Sequence, residues 1–267
     1  MKMTRIFVAA LAALGLSGLA WAASSGQRAP EQHEWHNAGP FGTFDREAVQ
    51  RGLQIYQEVC ASCHSLDLIK FRNLGEAGGP LESAEFPNAN DNPIVMQIAA
   101  GYLIEDGPDD AGDMFERPGL PSDAFPSPFA NPQQARGSNG GALPPDLSLI
   151  VKARGDGANY VRSLLLGYDE EVPEDVHLAA GQHYNPYFPG GLLAMASPLS
   201  EGIVTYADGT EATMEQMSED IVTFLTWASD PHMEMRKQMG VMVLLYLFIF
   251  AILVYIAYRQ IWANVKH

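Results

Sequence analysis

Cysteine is almost absent from this sequence: 267 residues contain two, Cys60 and Cys63. A multi-disulfide scaffold is therefore excluded, and so is a four-cysteine zinc or iron–sulfur site within the chain. Bases are scarce as well, 16 Lys and Arg against 32 Asp and Glu, a formal net charge of −16. A chain of that sign is a poor partner for nucleic acid. No internal repeat and no βαβ alternation is visible. The chain is nevertheless 47% hydrophobic and 10% aromatic, which excludes disorder and leaves room for a sizeable core.

Acids are missing from both ends. Residues 1–22 carry Lys2 and Arg5, and residues 236–267 carry Arg236, Lys237, Arg259 and Lys266, with no Asp or Glu in either segment. The stretch between holds all 32 acids and 10 bases, a net charge of −22. Such a surface serves solubility and also suits a basic partner. Each acid-free end contains an apolar run. The first, Ile6 to Leu19, is followed by Ala20-Trp21-Ala22, the pattern of a secretory signal peptide over residues 1–22 with cleavage near Ala23. The second, Gly240 to Tyr258, is 19 residues without a charge. As a helix it spans about 28 Å, close to the roughly 30 Å hydrocarbon core of a bilayer, with Tyr258 and Trp262 suited to an interfacial belt. Flanking Lys and Arg counts are similar and do not orient it. The signal peptide does: residues 23–235 are expected on the periplasmic face, and residues 236–267 form the anchor and a short cytoplasmic tail.

Between these segments the pattern is mainly helical. Asp45 to Val59 reads as a helix capped by Asp45, with Ala48, Gly52, Ile55, Tyr56 and Val59 on one face. Gly52 costs about 1 kcal/mol there against Ala, which a close helix–helix crossing would explain. Pro93 to Ala100 and Asn159 to Leu166 are shorter helices, the former capped by Asp91 or Asn92. Thr213 to Ala228 is the clearest, with a Thr213/Gln216 capping box and an apolar stripe of Met217, Ile221, Phe224, Leu225 and Ala228. Asp230-Pro231 ends it, and residues 232–239 read as a short link. Residues 105–145 and 181–200 read as long irregular loops, and 201–210 as a small hairpin around Asp208-Gly209.

Cys60-Ala61-Ser62-Cys63-His64 carries the chemistry. C-x-x-C-H is the attachment site of c-type haem: two thiols form thioethers with the vinyl groups and the adjacent histidine becomes a ligand of the iron. A thioredoxin-type pair would need a βαβ setting, and zinc would need more thiols. One motif means one haem. The sixth ligand is open at this level. Methionine opposite histidine favours electron transfer, and Met195, in a proline-bracketed loop, is a candidate beside His183, Met114 and Met96. Two acidic clusters, residues 101–123 and 169–175, are either solvated loops or a docking surface for a basic electron carrier. Arg154, by itself, reads as an ordinary surface charge.

Several segments resemble the cytochrome c1 family, the haem-c subunit of ubiquinol–cytochrome c oxidoreductase (the bc1 complex). Gly141-Ala-Leu-Pro-Pro-Asp-Leu-Ser148 is similar to its haem-flanking segment, and Asn185-Pro-Tyr-Phe-Pro-Gly190 with Met195 to its sixth-ligand loop. Asp113-Met-Phe-Glu-Arg-Pro-Gly119 and the stretch from Asp220 to Gly240 match as well. The resemblance implies a mainly α, cytochrome-c-like haem domain with long irregular loops and one C-terminal transmembrane helix, its 45–59 and 213–228 helices crossing in a way that would account for Gly52. It implies that Cys60 and Cys63 hold one haem c, with His64 and Met195 on the iron. Pro144 and Pro145 would pack on the haem, and Arg154 and Tyr160 would reach its propionates. It further implies an electron-transfer subunit without an independent catalytic site, in the inner membrane of a bacterium. The partners would be cytochrome b, a Rieske iron–sulfur protein and a soluble or tethered cytochrome c, in a dimeric complex. Some bacterial relatives pin a loop near the haem with an extra cysteine pair, which this chain lacks. Three other readings are a cytochrome working outside that complex, a haem sensor or peroxidase with an open sixth position, and a scaffold subunit.

Overall fold

Asp45 opens the first helix. Its carboxylate accepts the backbone N–H groups of Glu47 and Ala48 (3.0 and 3.2 Å), and α1 runs over Arg46–Glu58. In the computed structural model, which describes residues 27–264, five further α-helices follow: α2 (Pro93–Ala100), α3 (Pro132–Ser138), α4 (Gly157–Leu166), α5 (Met214–Ser229) and α6 (Met233–Trp262). Strands are few and short. β1 (Leu103–Asp106) pairs antiparallel with β2 (Phe115–Pro118), and β3 (His183–Tyr184) with β4 (Leu192–Leu193). The chain is mainly α, with long irregular segments between the helices. The expected signal peptide, residues 1–22, lies outside the described residues.

The core forms where α1 crosses α5. A Cβ added at Gly52 would lie 2.1 Å from the Asp220 carbonyl oxygen and 2.5 Å from Phe224 Cβ. Only glycine permits this approach, so the helix propensity given up at Gly52 is recovered in packing. Beside the crossing, Asp220 is buried and takes two hydrogen bonds from the Arg51 guanidinium (2.9 Å each), which also reaches Asp208 at 3.0 Å. A buried carboxylate is tolerated only with such pairing. Burial pushes the Asp220 carboxyl up, against the pull of Arg51. Tyr56, Phe71, Phe125 and Phe224 pack around the crossing with ring centroids 4.4–5.8 Å apart, and Trp227 stacks on Phe224 at 5.7 Å.

Several sequence expectations need correction. The stretch 105–145 is not loop throughout, since it contributes most of the β1–β2 hairpin and α3. Leu-Ile-Glu-Asp and Phe-Glu-Arg-Pro lie on the surface and bury little, so they lack the apolar alternation that marks a half-buried strand. Around Asp208-Gly209 the chain makes a turn, the Gly209 N–H donating to Tyr206 O at 3.2 Å, but no strands. Only half of the capping box forms. Thr213 Oγ1 accepts the Gln216 N–H (3.1 Å), while the Gln216 side chain turns to the buried Asp220 instead. Residues 233–239 are not a link but the first two turns of α6, because Met, Glu, Arg, Lys and Gln are all good helix formers.

α6 has 30 residues, a mean hydropathy of 2.8 over its most apolar stretch, and no burial there. It is long and apolar enough to cross a membrane. Its start is fixed to the rest of the molecule. Glu234 accepts the Phe44 N–H (2.7 Å) and pairs with Arg46 (2.7 Å), Lys237 donates to the carbonyls of Asn37 (2.7 Å) and Gly42 (2.9 Å), and Met233 is buried. We expect Gly52→Ala to lower stability by about 2 kcal/mol, because forced repacking outweighs the ~1 kcal/mol propensity gain. Thermal unfolding should shift down by roughly 4–8 °C; an unchanged or higher midpoint would contradict the crossing.

Candidate haem-binding site

The C-x-x-C-H segment begins where α1 ends. Val59 closes the last helical turn, residues Cys60–Ser62 tighten into a 3-10 turn, and the N–H groups of Cys63 and His64 both donate to Cys60 O (3.1 and 2.9 Å). Such a turn brings both thiols and the imidazole out of one short loop. Neither thiol is in a disulfide. Burial, followed by the neighbouring Cys63, pushes the Cys60 thiol up to about 12, so it stays protonated at neutral pH, the form inert to disulfide exchange.

His64 is held by a segment 80 residues away. Its Nδ1 lies 2.8 Å from the carbonyl oxygen of Pro145. A carbonyl only accepts, so Nδ1 carries the proton and Nε2 keeps its lone pair. This is the arrangement in which a second partner orients a metal-ligating imidazole. Burial also holds the His64 pKa below its usual value, against the Pro145 hydrogen bond and the Asp146 charge, which favours the neutral, ligating form. The contact belongs to a longer seam. Leu147 N–H donates to Ser65 O (2.9 Å), Asp67 N–H and the Ser65 hydroxyl donate to Asp146 (2.8 Å each), and Leu68 N–H donates to the Ser148 hydroxyl (3.1 Å). Asp146 also accepts the Ser148 N–H (2.8 Å). Burial alone would raise its pKa, but these hydrogen bonds outweigh it and hold the carboxyl below the usual range. Pro144 is half-buried beside this seam, whereas Pro145 is exposed and touches His64 through its carbonyl.

The remaining sequence-predicted residues come from α2, the β1–β2 hairpin, α4 and the segment before it, and the β3–β4 region. Tyr160 is buried in the core at 5% exposure. Arg154 is exposed, lies beside the Tyr160 hydroxyl, and has no carboxylate within ion-pair reach among the described residues. Met195 is half-buried two residues past β4, and its carbonyl accepts the Tyr168 hydroxyl at 3.1 Å. Met96 and Met114 are exposed, at 49% and 55%. His183 lies in β3 and borders a surface cleft of about 270 Å³ with Tyr168, Tyr184 and Ser197.

Asn185 organises the Met195 loop. It is buried; its side chain donates to Leu164 O (2.7 Å) and accepts the Tyr187 N–H (3.1 Å), and its backbone pairs with Gly191 and Phe188. A strap of N-terminal residues covers this junction. Arg28 N–H donates to Pro186 O (2.8 Å), the Arg28 guanidinium lies 5.5 Å over the Tyr187 ring, and Tyr187 donates to Glu31 (3.0 Å). Glu31 N–H in turn reaches Ser163 (2.9 Å), and Trp35 the side chain of Asn159 (2.7 Å).

Sequence reasoning missed Asp146, Tyr168 and Asn185. Asp146 left a signal, since Pro-Asp-Leu-Ser is a pattern in which an aspartate accepts the N–H two residues on. Tyr168 and Asn185 left none that single-sequence patterns display. The donor set fits a haem c: two unpaired thiols, an imidazole with Nε2 unengaged, and an arginine free of carboxylates. Replacing Asp146 by Ala leaves the Ser65 hydroxyl and two backbone N–H groups without their acceptor. We expect a loss of about 2–3 kcal/mol, read as a lower denaturation midpoint, and stability within about 0.5 kcal/mol of the parent would show that the seam does not hold His64.

Comparison with known proteins places the chain in a family. The model of the cytochrome c1 family matches residues 35–265. Cytochrome c1 of Rhodospirillum rubrum is 39% identical, over 98% of each chain. Cytochrome c1-2, a mitochondrial haem protein of Solanum tuberosum, is 48% identical over 85% of this chain and 84% of its own. Cytochrome b/c1 of Bradyrhizobium diazoefficiens is 50% identical over 91% of this chain, which spans only 37% of that longer protein. With a family match over most of its length and relatives this similar end to end, the chain belongs to the cytochrome c1 family, the haem-c, electron-transferring subunit of the bc1 complex.

Proposed function

We propose that this chain passes single electrons from a Rieske iron–sulfur protein to a soluble or tethered cytochrome c, from a haem domain on the periplasmic face. α6 would be its single membrane span, and the C-terminus would be cytoplasmic. The observation that supports the reading is the Nδ1–Pro145 hydrogen bond, which leaves the Nε2 lone pair of His64 available to a metal at the end of a motif whose two thiols are in no disulfide. Bound there, a haem iron supplies reversible one-electron chemistry. The chain's own part is to hold and tune it. Cys60 and Cys63 would form the thioethers, His64 would supply the proximal nitrogen, and the Met195 thioether would raise the potential as distal ligand. Arg154, the exposed arginine with no carboxylate, would offset propionate charge beside the buried Tyr160. Pro144 and Pro145 would shield the proximal side from water.

The acidic clusters suit a basic acceptor. In the first, Arg117 is engaged by Asp106 and Asp123, leaving Glu105, Asp110, Asp113 and Glu116 exposed with no base against them. In the second, Glu170 pairs with Arg28 while Glu171, Glu174 and Asp175 are exposed.

Three measurements test this. The protein purified in mild detergent should give a reduced-minus-oxidised spectrum with one c-type band accompanied by b-type bands from its complex. In that material Met195→Leu should lower the potential of the c-type haem by on the order of 100 mV, well inside the ~0.8 V over which axial ligands act. No haem band, or an unchanged potential in the variant, would overturn the assignment. The rate of electron transfer to a basic cytochrome c should fall steeply as salt rises; a flat profile would remove the acidic docking surface.

A further inference from the structure

The loop before α1 is tied directly to the start of α6. In a region of net charge −22, residues 37–44 (Asn-Ala-Gly-Pro-Phe-Gly-Thr-Phe) contain no charged side chain. The loop is tightly closed. Ala38 N–H donates to Trp35 O at 2.9 Å, and a Cβ at Gly42 would lie 2.1 Å from the Ala38 carbonyl oxygen, so only glycine lets it close. Ala38, Gly39, Pro40 and Phe41 form its exposed tip, and the Phe41 ring is 81% exposed. An isolated exposed phenylalanine is unremarkable; its position is what matters here.

Lys237 of α6 fixes that position, through its hydrogen bonds to the carbonyls on both sides of the tip, Asn37 and Gly42. Lys237 is three residues before Gly240, where the uncharged run begins, a rise of about 4.5 Å along a helix. The 28 Å run nearly fills the hydrocarbon core, so its first residue sits close to the core boundary. The headgroup layer outside that boundary is about 5–7 Å deep. The base of this uncharged loop is therefore tied to a residue at the depth of the lipid headgroups, on the side of the membrane where the haem domain sits. We propose that the 38–41 tip, with Phe41 at its end, inserts into the lipid interface as a second attachment of the haem domain. A planar ring suits this layer, since it is apolar enough to leave water and needs no hydrogen-bond partner.

The proposal rests on α6 being the membrane anchor, and the experiment separates the two. Phe41→Cys, Ile249→Cys and Glu211→Cys would each be made in the full-length chain and labelled with a nitroxide. The unsubstituted chain, whose two cysteines are committed to haem, serves as the labelling blank. Collision rates with oxygen and with a water-soluble nickel chelate would be read in phosphatidylcholine vesicles and in the assembled complex. A ratio of oxygen to nickel several-fold higher at position 41 than at exposed Glu211, in both settings, is the expected result. A water-like ratio at 41 with a lipid-like ratio at 249 overturns the proposal and leaves the anchor standing. A water-like ratio at 249 overturns the anchor itself. If both collision rates at 41 collapse in the complex, a protein neighbour covers the tip, and lipid is not its occupant.

Discussion

Two helices meet backbone to backbone at Gly52, and the rest of the molecule hangs from that contact. α1 leaves the crossing toward Cys60 and ends in the turn that presents the thiols and His64. α5 leaves it in the other direction, through Asp230 and Pro231, into α6. Separating the helices by the width of one methyl group would move the haem-binding turn and the anchor relative to one another. The Arg51–Asp220 pair guards the same spot. It contributes less through net energy than through geometry, because either partner alone would be a costly buried charge. The chain thus spends a glycine and an ion pair on one crossing.

Around that frame, polar seams do what disulfides do in other proteins. Asp146 with Ser65, Asp67 and Ser148 joins stretches about 80 residues apart, and Asn185 joins the Met195 loop to the end of α4. The strap over Tyr187 brings residues 28–35 onto the same region. With no cysteines to spare, each closure uses a buried side chain whose hydrogen-bonding capacity is nearly filled. Such groups stabilise only when satisfied, so these seams specify loop positions more sharply than apolar contacts would.

What was legible in the sequence is what repeats locally. α1, α2, α4 and α5 were readable within one or two residues from their caps and apolar stripes, with Asp45, Asn92 and Thr213 each capping as their types suggest. The C-x-x-C-H motif needed five residues and the span needed nineteen. Gly52 was readable as an anomaly, and the family resemblance supplied the partner it meets, the 213–228 helix. The β1–β2 hairpin was hidden because it lies on the surface and its strands carry charges. The first turns of α6 were hidden because polar helix formers have no hydropathy signal. The haem-site seam and the strap join residues 80 to 160 positions apart, and no local pattern encodes such a pairing. Arg154 shows the limit most plainly. Its sequence context reads as surface, and the structure leaves it, like Arg136 and Arg259, without a carboxylate among the described residues, whereas Arg28, Arg46, Arg51, Arg117 and Arg162 each hold one.

The welded start of α6 has a mechanical consequence. Glu234 and Lys237 bind the chain on the approach to α1, and α1 itself is about 20 Å long. The haem-binding turn therefore stands no more than roughly that far from the anchor's first turn, on a lever with no hinge in it. A domain mounted in this way keeps one height and one tilt above the bilayer. On the proposed route, any travel needed to bring an electron in, or to carry it off, would fall to the molecules on either side, with this chain as a fixed station between them.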